Sequence, residues 1–252
     1  MTASEWPASL LVIRHGESTG NVARAAAEQT GAARIDVAQR DMDVDLSGRG
    51  EEQAAALGRW LADRAERAPT VALASPYVRT RRTAEVALAA GGLAEVELVL
   101  DERLREREFG WFDRLTRRGL MEFLPEEWER RVRLGKFYHR PPGGESWCDV
   151  ALRVRSLLDT IGREYSGERV AVFTHEVVIL MFRYVLERLD EETALRIGRS
   201  ERLANCGVTE FEYDSSIGRR GGMRLLYHNE PTAVQDAGVA VTEEEDAAVA
   251  PR

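Results

Sequence analysis

The apolar positions of this chain fall into short runs that alternate with segments of helical spacing. The runs are rich in β-branched residues and predict strands, whereas the segments between them carry apolar residues three and four positions apart and predict helices. Because the runs are too apolar for a sheet with one solvated face, they indicate a mostly parallel sheet covered on both sides. The predicted strands span residues 9–13, 70–74, 96–100 and 169–174, and the predicted helices span residues 48–68, 79–90, 147–165 and 177–189.

A late hairpin and two insertions complete the predicted fold. Residues 207–213 and 223–228 flank a Gly-rich turn and indicate an antiparallel hairpin at one edge of the sheet. The fold class is therefore α/β, a three-layer α/β/α sandwich whose mostly parallel central sheet has an antiparallel edge. Segments near 21–45 and 111–140 interrupt the alternation where predicted strands end, and we interpret them as insertions that roof a site.

Length and charge define the class of protein. The chain has 252 residues, of which 44% are hydrophobic, and it can bury one sizeable core. We assign residues 1–230 to a single domain and expect the acidic tail, residues 231–252, to be disordered. The net charge of −8 argues against a nucleic-acid partner.

The location is predicted from what the sequence does not contain. No apolar run approaches the roughly 20 residues of a membrane span, and the N-terminus does not resemble a signal peptide. The cysteines, Cys148 and Cys206, have neither metal-site nor disulfide-framework spacing. We therefore expect a cytoplasmic protein without a membrane partner, and a homodimer is compatible with the sequence.

Basic side chains follow three of the predicted strands. Arg14 and His15 end the first apolar run, and His175 ends the fourth. The second run stops at Ser75-Pro76, which predicts a helix capped by Ser75 with Arg79 one turn inside it. Since parallel strands end at a common edge of the sheet, these residues are expected to converge there.

Two guanidinium groups and two imidazoles suit a phosphoryl group. Each donor can bind one of its three equivalent oxygens, and each contact strengthens as charge develops during transfer. A metal site is the rival hypothesis, but it would place Arg14 and Arg79 beside a cation, and the sequence has no HExxH motif. We expect no metal and no cofactor.

These residues and the motifs around them resemble those of a known family, the histidine phosphatase superfamily of phosphoglycerate-mutase-like enzymes. The hallmark of that family is Arg-His-Gly after the first strand. The resemblance extends over roughly residues 9–213. It is carried by RHGESTGN (14–21), LSGRGEEQA (46–54), SPYVRTRRTAE (75–85), LREREFG (104–110), PPGGES (141–146) and FTHE (173–176).

The resemblance implies a role for each matching residue. His15 would be the nucleophile that forms a phosphohistidine, and Arg14, Arg79 and His175 would hold the phosphoryl oxygens. Asn21 matches a polar position that faces the phosphate. Glu106 matches the proton donor to the leaving oxygen, and only its place in the motif selects it, because strand alternation would put Glu102, Glu106 and Glu108 on one side.

Four further residues have two interpretations each. Glu17 and Ser18 are expected to contact substrate because they adjoin His15, although capping of a loop explains them equally well. Glu145 and Ser146 match a turn that approaches the site in the family, whereas Ser146 with Asp149 also forms the pattern of a capping box. Ser47 is likewise predicted to cap the helix that follows it.

The resemblance implies an enzyme of the histidine acid phosphatase type. The first hypothesis is a phosphoric monoester hydrolase that acts on a small phosphorylated metabolite and releases phosphate. The alternative is a phosphoglycerate mutase, which returns the phosphoryl group to a hydroxyl of the sugar acid. A third hypothesis is a noncatalytic protein that binds phosphorylated ligands. Glu176 stands where many members carry glycine, and its charge counts against a bisphosphorylated intermediate.

Overall fold

A six-stranded mixed sheet forms the centre of the computed structural model, which describes residues 6–244. Four neighbouring strands are parallel, and the last two are antiparallel at one edge, so the predicted sheet is confirmed. The order across the sheet is β3-β2-β4-β1-β5-β6. The strands are β1 (Ser9–Arg14), β2 (Val71–Ala74), β3 (Glu97–Leu100), β4 (Arg169–Thr174), β5 (Val208–Asp214) and β6 (Gly222–Glu230).

Helices cover both faces of this sheet. They are α1 (Thr19–Thr30), α2 (Gly48–Asp63), α3 (Val78–Ala90), α4 (Arg117–Phe123), α5 (Pro125–Leu134), α6 (Trp147–Glu164), α7 (Glu176–Leu186), α8 (Glu191–Ser200) and α9 (Thr232–Asp236). Within residues 6–244, no helix is both long and apolar enough to cross a membrane.

The side chains of β1 alternate between two cores. Leu10 and Val12 belong to the cluster that includes α6 and α7, whereas Leu11 and Ile13 belong to the cluster that includes α2, α3 and α9. Successive side chains of a strand point to opposite faces, so an uninterrupted apolar strand requires a cover on each side. The result is the predicted three-layer sandwich.

The ends of β1, β4 and β2 lie in register at one edge of the sheet. Arg14 pairs with Thr174, and Ala74 pairs with Phe173. The backbone N–H of His15 donates to the carbonyl of Thr174 over 3.1 Å, which carries the pairing one residue past the strand. The residues that follow the three strands are therefore neighbours.

The predicted helix caps are correct at two positions and wrong at one. Ser47 accepts a hydrogen bond from the backbone of Gly50, and Ser146 forms the capping box with Asp149. Ser75 does not cap α3, whose N-cap is Tyr77. The backbone N–H of Ser75 instead donates to Phe173 over 3.1 Å, so it still belongs to the sheet and the helix begins later than predicted.

The two insertions contact each other above this edge. The first contains α1 and a loop, and the second contains α4 and α5. A backbone bridge joins Arg34 to Leu115, and the N–H of Ile35 donates to the carbonyl of Arg114 over 2.9 Å. The second insertion has its own small core, in which Phe112 and Leu120 are buried.

The tail differs from its expected disorder over residues 231–244. The short helix α9 buries Ala233 and Val234 against the core that contains α2. The side-chain amide of Gln53 donates to the carbonyl of Ala240 and to the hydroxyl of Thr242, each over 2.9 Å. The polar composition of the tail gives no indication of these few residues that contact the core. The remaining positions of the tail, 245–252, lie outside the described residues.

Candidate active site

Two histidine rings meet at the common edge of the sheet. His15 follows β1 and His175 follows β4, and both side chains are fully buried. Their ring centroids are 5.2 Å apart, with an angle of 61° between the planes. The register of the two strands thus places both imidazoles within reach of one small ligand.

The contacts of His15 distinguish its two ring nitrogens. Nδ1 lies 2.7 Å from the carbonyl oxygen of Gly16, which assigns the proton to Nδ1. Nε2 accepts a hydrogen bond of 3.3 Å from Nε of Arg79 and therefore carries the lone pair. A Cβ at Gly16 would lie 2.6 Å from the carbonyl oxygen of Gly50, so only glycine allows this turn to contact α2. Nε2 is the nucleophilic atom of this tautomer.

Arg14 and Asn21 converge on one oxygen atom. Nη2 of Arg14 donates to the carbonyl of Glu244 over 2.5 Å, and the amide of Asn21 donates to the same oxygen over 3.3 Å. Nη1 of Arg14 donates to the carbonyl of Leu203. The two side chains can therefore bind a single oxygen acceptor together.

Arg79 extends from His15 toward the first insertion. It is the second residue of α3, and its guanidinium is buried. Nη1 donates to the carbonyl of Asp41 over 2.6 Å and lies 3.1 Å from Oδ1 of the same residue. Its Cζ is 5.1 Å from the ring centroid of Tyr77, whose pKa is raised by burial.

His175 is fixed by hydroxyl groups from the other strand end. Its Nε2 lies 2.9 Å from Oγ of Ser75 and 3.1 Å from Oγ1 of Thr80. The ring of Tyr77 packs edge-on against it at 5.2 Å. This orientation of the imidazole depends on the residues around Arg79 as much as on β4.

Glu106 is the buried member of the three neighbouring glutamates. Strand alternation had placed these residues in a strand, but Glu102–Leu104 forms a 3-10 turn and an irregular loop follows. Glu106 is 1% exposed, whereas Glu102 and Glu108 are exposed. Its oxygens accept hydrogen bonds from the backbone N–H of Arg107 and of Val177, over 2.6 and 3.5 Å. The second contact brings the carboxylate to the first turn of α7, beside His175.

Two predicted substrate contacts near His15 have structural partners. Glu17 accepts hydrogen bonds from Ser47 over 2.6 Å and from Arg49 over 3.0 Å. Ser18 is the N-cap of α1 and forms a capping box with Asn21. These contacts fix the loop after His15, and they support the capping interpretation for Ser18.

The predicted pair from the PPGGES turn is also held by neighbouring residues. Glu145 forms ion pairs with Arg105 at 2.7 Å and with Arg153 at 3.1 Å. Ser146 caps α6 through Asp149. Glu145 therefore connects the loop that carries Glu106 to α6, the helix that Ser146 caps.

Several residues near the histidines were not predicted from the sequence. Asp41, Ser75 and Thr80 contact Arg79 or His175, as described above. The side-chain amide of Asn205 donates to the carbonyl of His15 over 3.0 Å. Thr80 lies inside a motif and could have been singled out, whereas Asn205 precedes β5 without any pattern. Residues 6–244 contain no group of three or more His, Cys, Asp or Glu side chains that could hold a metal ion.

Comparisons with known proteins agree with this geometry. The family model of the histidine phosphatase superfamily (branch 1) matches residues 10–220. A 2,3-bisphosphoglycerate-dependent phosphoglycerate mutase of Rhizobium meliloti is 31% identical over 195 residues, which cover 75% of this chain and 84% of that protein. A probable phosphoglycerate mutase, GpmB, of Shigella boydii is 30% identical over 207 residues, which cover 82% and 85%.

A solved structure shows the same fold. A mycobacterial glucosyl-3-phosphoglycerate phosphatase in complex with VO3 has a TM-score of 0.67 and 25% identity, and the match covers 88% of this chain and 99% of that chain. The fold is thus that of the phosphoglycerate-mutase-like histidine phosphatases. Because the family model spans most of its length, the chain belongs to the histidine phosphatase superfamily.

Proposed function

We propose that this protein is a phosphatase that hydrolyses small phosphomonoesters through a phosphohistidine on Nε2 of His15. One observation carries the proposal: Nε2 holds the lone pair of a buried imidazole, and Arg79 donates to that atom over 3.3 Å. A guanidinium at the nucleophilic nitrogen disfavours its protonation and is placed to bind an oxygen of the incoming phosphoryl group.

The first step transfers the phosphoryl group to the enzyme. The lone pair of Nε2 attacks phosphorus, the bond between phosphorus and the ester oxygen breaks, and Glu106 gives a proton to the departing alkoxide. Arg14, Arg79 and His175 donate hydrogen bonds to the phosphoryl oxygens, and these contacts strengthen as charge moves onto the oxygens. The hydrogen bond from Nδ1 to Gly16 stabilises the positive charge that the ring acquires.

The second step returns the enzyme to its starting form. Glu106, now a carboxylate, takes a proton from water while the water oxygen attacks phosphorus and the bond to Nε2 breaks. The products are the alcohol and inorganic phosphate. All donors are side chains of this chain, so the proposal includes neither a metal nor a cofactor.

Substitution of the proposed nucleophile tests this function. We expect His15→Ala to lose hydrolysis of 4-nitrophenyl phosphate by at least about 1000-fold, since the covalent intermediate can no longer form. His228→Gln is the matched control, because His228 is a half-buried histidine on β6 that contacts Thr209, and β5 separates β6 from β1. An acid-labile phosphoenzyme should form in the parent and the control only. A His15→Ala variant as active as its parent would refute the proposal.

A phosphoglycerate mutase remains the second candidate, since relatives of 30–31% identity carry that name. In a mutase the phosphoryl group returns to a hydroxyl of the sugar acid instead of passing to water. Incubation with 3-phosphoglycerate, with and without 2,3-bisphosphoglycerate, separates the two: 2-phosphoglycerate indicates a mutase, and glycerate with phosphate indicates a phosphatase. Binding of phosphate without turnover of any ester would indicate a noncatalytic protein.

The cytoplasmic location and the homodimer stay predictions. Cys148 and Cys206 are free thiols, which is compatible with a reducing compartment. The proposed partners are a phosphorylated small molecule and the phosphate it releases.

A further inference from the structure

The peptide that joins Gly16 to Glu17 orients the imidazole of the proposed nucleophile. Its carbonyl oxygen lies 2.7 Å from Nδ1 of His15, and its N–H donates to Oε1 of Gln53 over 2.8 Å. A peptide group is planar, so its N–H and its carbonyl rotate together. By holding the N–H, Gln53 therefore also holds the carbonyl that accepts the proton of Nδ1.

The orientation of the Gln53 amide is fixed by the tail. Its nitrogen donates to the carbonyl of Ala240 and to the hydroxyl of Thr242, each over 2.9 Å. A carbonyl oxygen can only accept a hydrogen bond, so the amide nitrogen faces Ala240 and the amide oxygen faces the N–H of Glu17. Gln53 is fully buried, and a flipped amide would set oxygen against oxygen and N–H against N–H. Residues 240–242 thus determine which end of the amide meets the loop after β1.

Thr242 connects this amide to a second one on the other side of His15. Its hydroxyl accepts the hydrogen bond from Gln53 and donates its own proton to Oδ1 of Asn205 over 2.9 Å. The side-chain nitrogen of Asn205 then donates to the carbonyl of His15 over 3.0 Å. The three side chains Gln53, Asn205 and Thr242 are all buried. Since a hydroxyl has one proton, its direction of donation sets the orientation of both amides.

Reversal of the peptide between Gly16 and Glu17 would exchange the roles of the two ring nitrogens. After half a turn, the N–H of Glu17 would face Nδ1 of His15, which would have to accept a hydrogen bond, and the ring proton would move to Nε2. A protonated Nε2 has no lone pair with which to attack phosphorus. Glycine opposes such a rotation weakly because it has no Cβ. The contacts outside the peptide therefore decide which tautomer is present.

We propose that Gln53 and Thr242 are positioning residues that keep His15 in the tautomer with the lone pair on Nε2. Gln53 acts through the peptide that follows Gly16, and Thr242 acts through the amides of Gln53 and Asn205. The inference rests on the proposed function, in which Nε2 attacks phosphorus. It gives a residue of the tail a part in preparing a nucleophile that lies more than 200 positions away in the sequence.

Nitrogen NMR measures this tautomer directly. In protein labelled with 15N-histidine, protonated and unprotonated ring nitrogens have well-separated shifts, and the signals that His15→Ala removes belong to His15. At about pH 8, where the ring is neutral, the parent should show a proton on Nδ1 and none on Nε2. Gln53→Met should show a mixture of both tautomers. It should lower kcat for 4-nitrophenyl phosphate by about 10- to 100-fold and keep KM within about twofold, because the arginines that bind the phosphoryl group are unchanged.

Smaller changes at Thr242 isolate the contribution of the hydroxyl. Thr242→Val keeps the shape of the side chain but removes the acceptor of one Gln53 N–H and the donor to Asn205. It should lower kcat by about 3- to 10-fold and give a smaller admixture of the second tautomer. Thr242→Ser restores the hydroxyl and should bring kcat and the nitrogen shifts back toward those of the parent.

A second buried threonine provides the matched control. The hydroxyl of Thr209, on β5, contacts Nδ1 of His228 over 3.0 Å instead of the loop after β1. Thr209→Val therefore removes a buried hydroxyl and lowers the melting temperature, but it should leave kcat and the tautomer of His15 as they are in the parent. This comparison separates positioning of the nucleophile from a general loss of stability.

Any of four results would overturn the inference: a parent with the proton on Nε2 of His15, a Gln53→Met protein with the tautomer of the parent, a Thr242→Ser protein as impaired as Thr242→Val, or an equal loss of kcat in Thr209→Val. If Gln53→Met does not fold, a Thr242→Val protein with the kcat and the tautomer of the parent would overturn it. A parent that hydrolyses no ester refutes the proposed function instead. The nitrogen shifts then still show whether Gln53 and Thr242 hold the tautomer.

Discussion

The carbonyl of Glu244 occupies two of the donors that we assign to the phosphoryl group. It accepts hydrogen bonds from Arg14 over 2.5 Å and from Asn21 over 3.3 Å. A substrate oxygen that binds the same donors must displace it. We therefore predict that a chain shortened to end at Thr242 binds phosphate and phosphomonoesters more tightly than the full chain.

The expected gain follows from the contacts that are lost. A hydrogen bond to a charged group contributes about 1.5–3 kcal/mol, and one to a neutral amide contributes about 0.5–1.5 kcal/mol. Holding two further residues in place costs about 1–2 kcal/mol for each of them. The contacts outweigh this cost by at most about 2.5 kcal/mol. A net free energy on the order of 1 kcal/mol, within that bound, would lower KM about fivefold when the segment is removed.

The new chain end should not replace the contact that it removes. The carbonyl of Thr242 accepts a hydrogen bond of 2.8 Å from the backbone of Asn205, and its hydroxyl contacts Gln53 at 2.9 Å. These contacts hold the end away from Arg14. KM for 4-nitrophenyl phosphate and the inhibition constant of inorganic phosphate should therefore fall together, whereas kcat should stay within about twofold because no catalytic group changes.

Two controls assign the effect to the carbonyl group. A chain that ends at Glu245 keeps the peptide carbonyl of Glu244 and should have a higher KM than the chain that ends at Thr242. The double variant Glu243→Gln with Glu244→Gln removes two charges but keeps the backbone, and it should also retain most of the parent KM. An unchanged KM in the chain ending at Thr242 would refute the competition, and a raised KM would show that this segment helps to bind the substrate.

Further predictions concern catalysis, stability and pH. Glu106→Gln should lower kcat by about 100- to 10,000-fold for alkyl phosphates. The loss should be smaller for 4-nitrophenyl phosphate, because its leaving group needs little protonation. Equal losses of kcat on both kinds of ester would contradict the role of Glu106 as proton donor. Glu210 is buried and paired with Arg64 at 2.8 Å and Arg67 at 2.9 Å. Glu210→Ala should therefore lower the free energy of unfolding by about 1–3 kcal/mol, measured by urea titration. An unchanged urea midpoint of unfolding would refute this prediction. Burial lowers the pKa of His228 to about 3, so the unfolded chain binds a proton below pH 6.5 that the folded chain does not. Stability should therefore fall between pH 6.5 and 3, and His228→Gln should reduce that slope in thermal melts.

The part of the site that depends on strand ends could be predicted from the sequence. An uninterrupted apolar run requires a buried strand, and a basic residue directly after it must lie at the edge of the sheet. That reasoning identified His15 and His175, and the register of β1 with β4 explains why their rings meet. It failed at Ser75, since a pattern for a helix cap also fits a residue that still pairs with the next strand.

The remainder of the site depends on contacts between distant segments. Asp41 reaches Arg79 from the first insertion, and Glu244 reaches Arg14 from the far end of the chain. Neither carries a local signal, because the partner of a backbone carbonyl is decided by tertiary packing.

The partners described above for Arg14 and Arg79 differ in chemistry. Arg14 donates to the backbone carbonyls of Leu203 and Glu244, which are neutral dipoles. Arg79 is oriented by the carbonyl of Asp41 and also faces the carboxylate of that residue at 3.1 Å, which offsets part of the guanidinium charge. Because Asp41 belongs to the first insertion, the charge that Arg79 presents to a phosphoryl group depends on a segment that the strand ends do not determine.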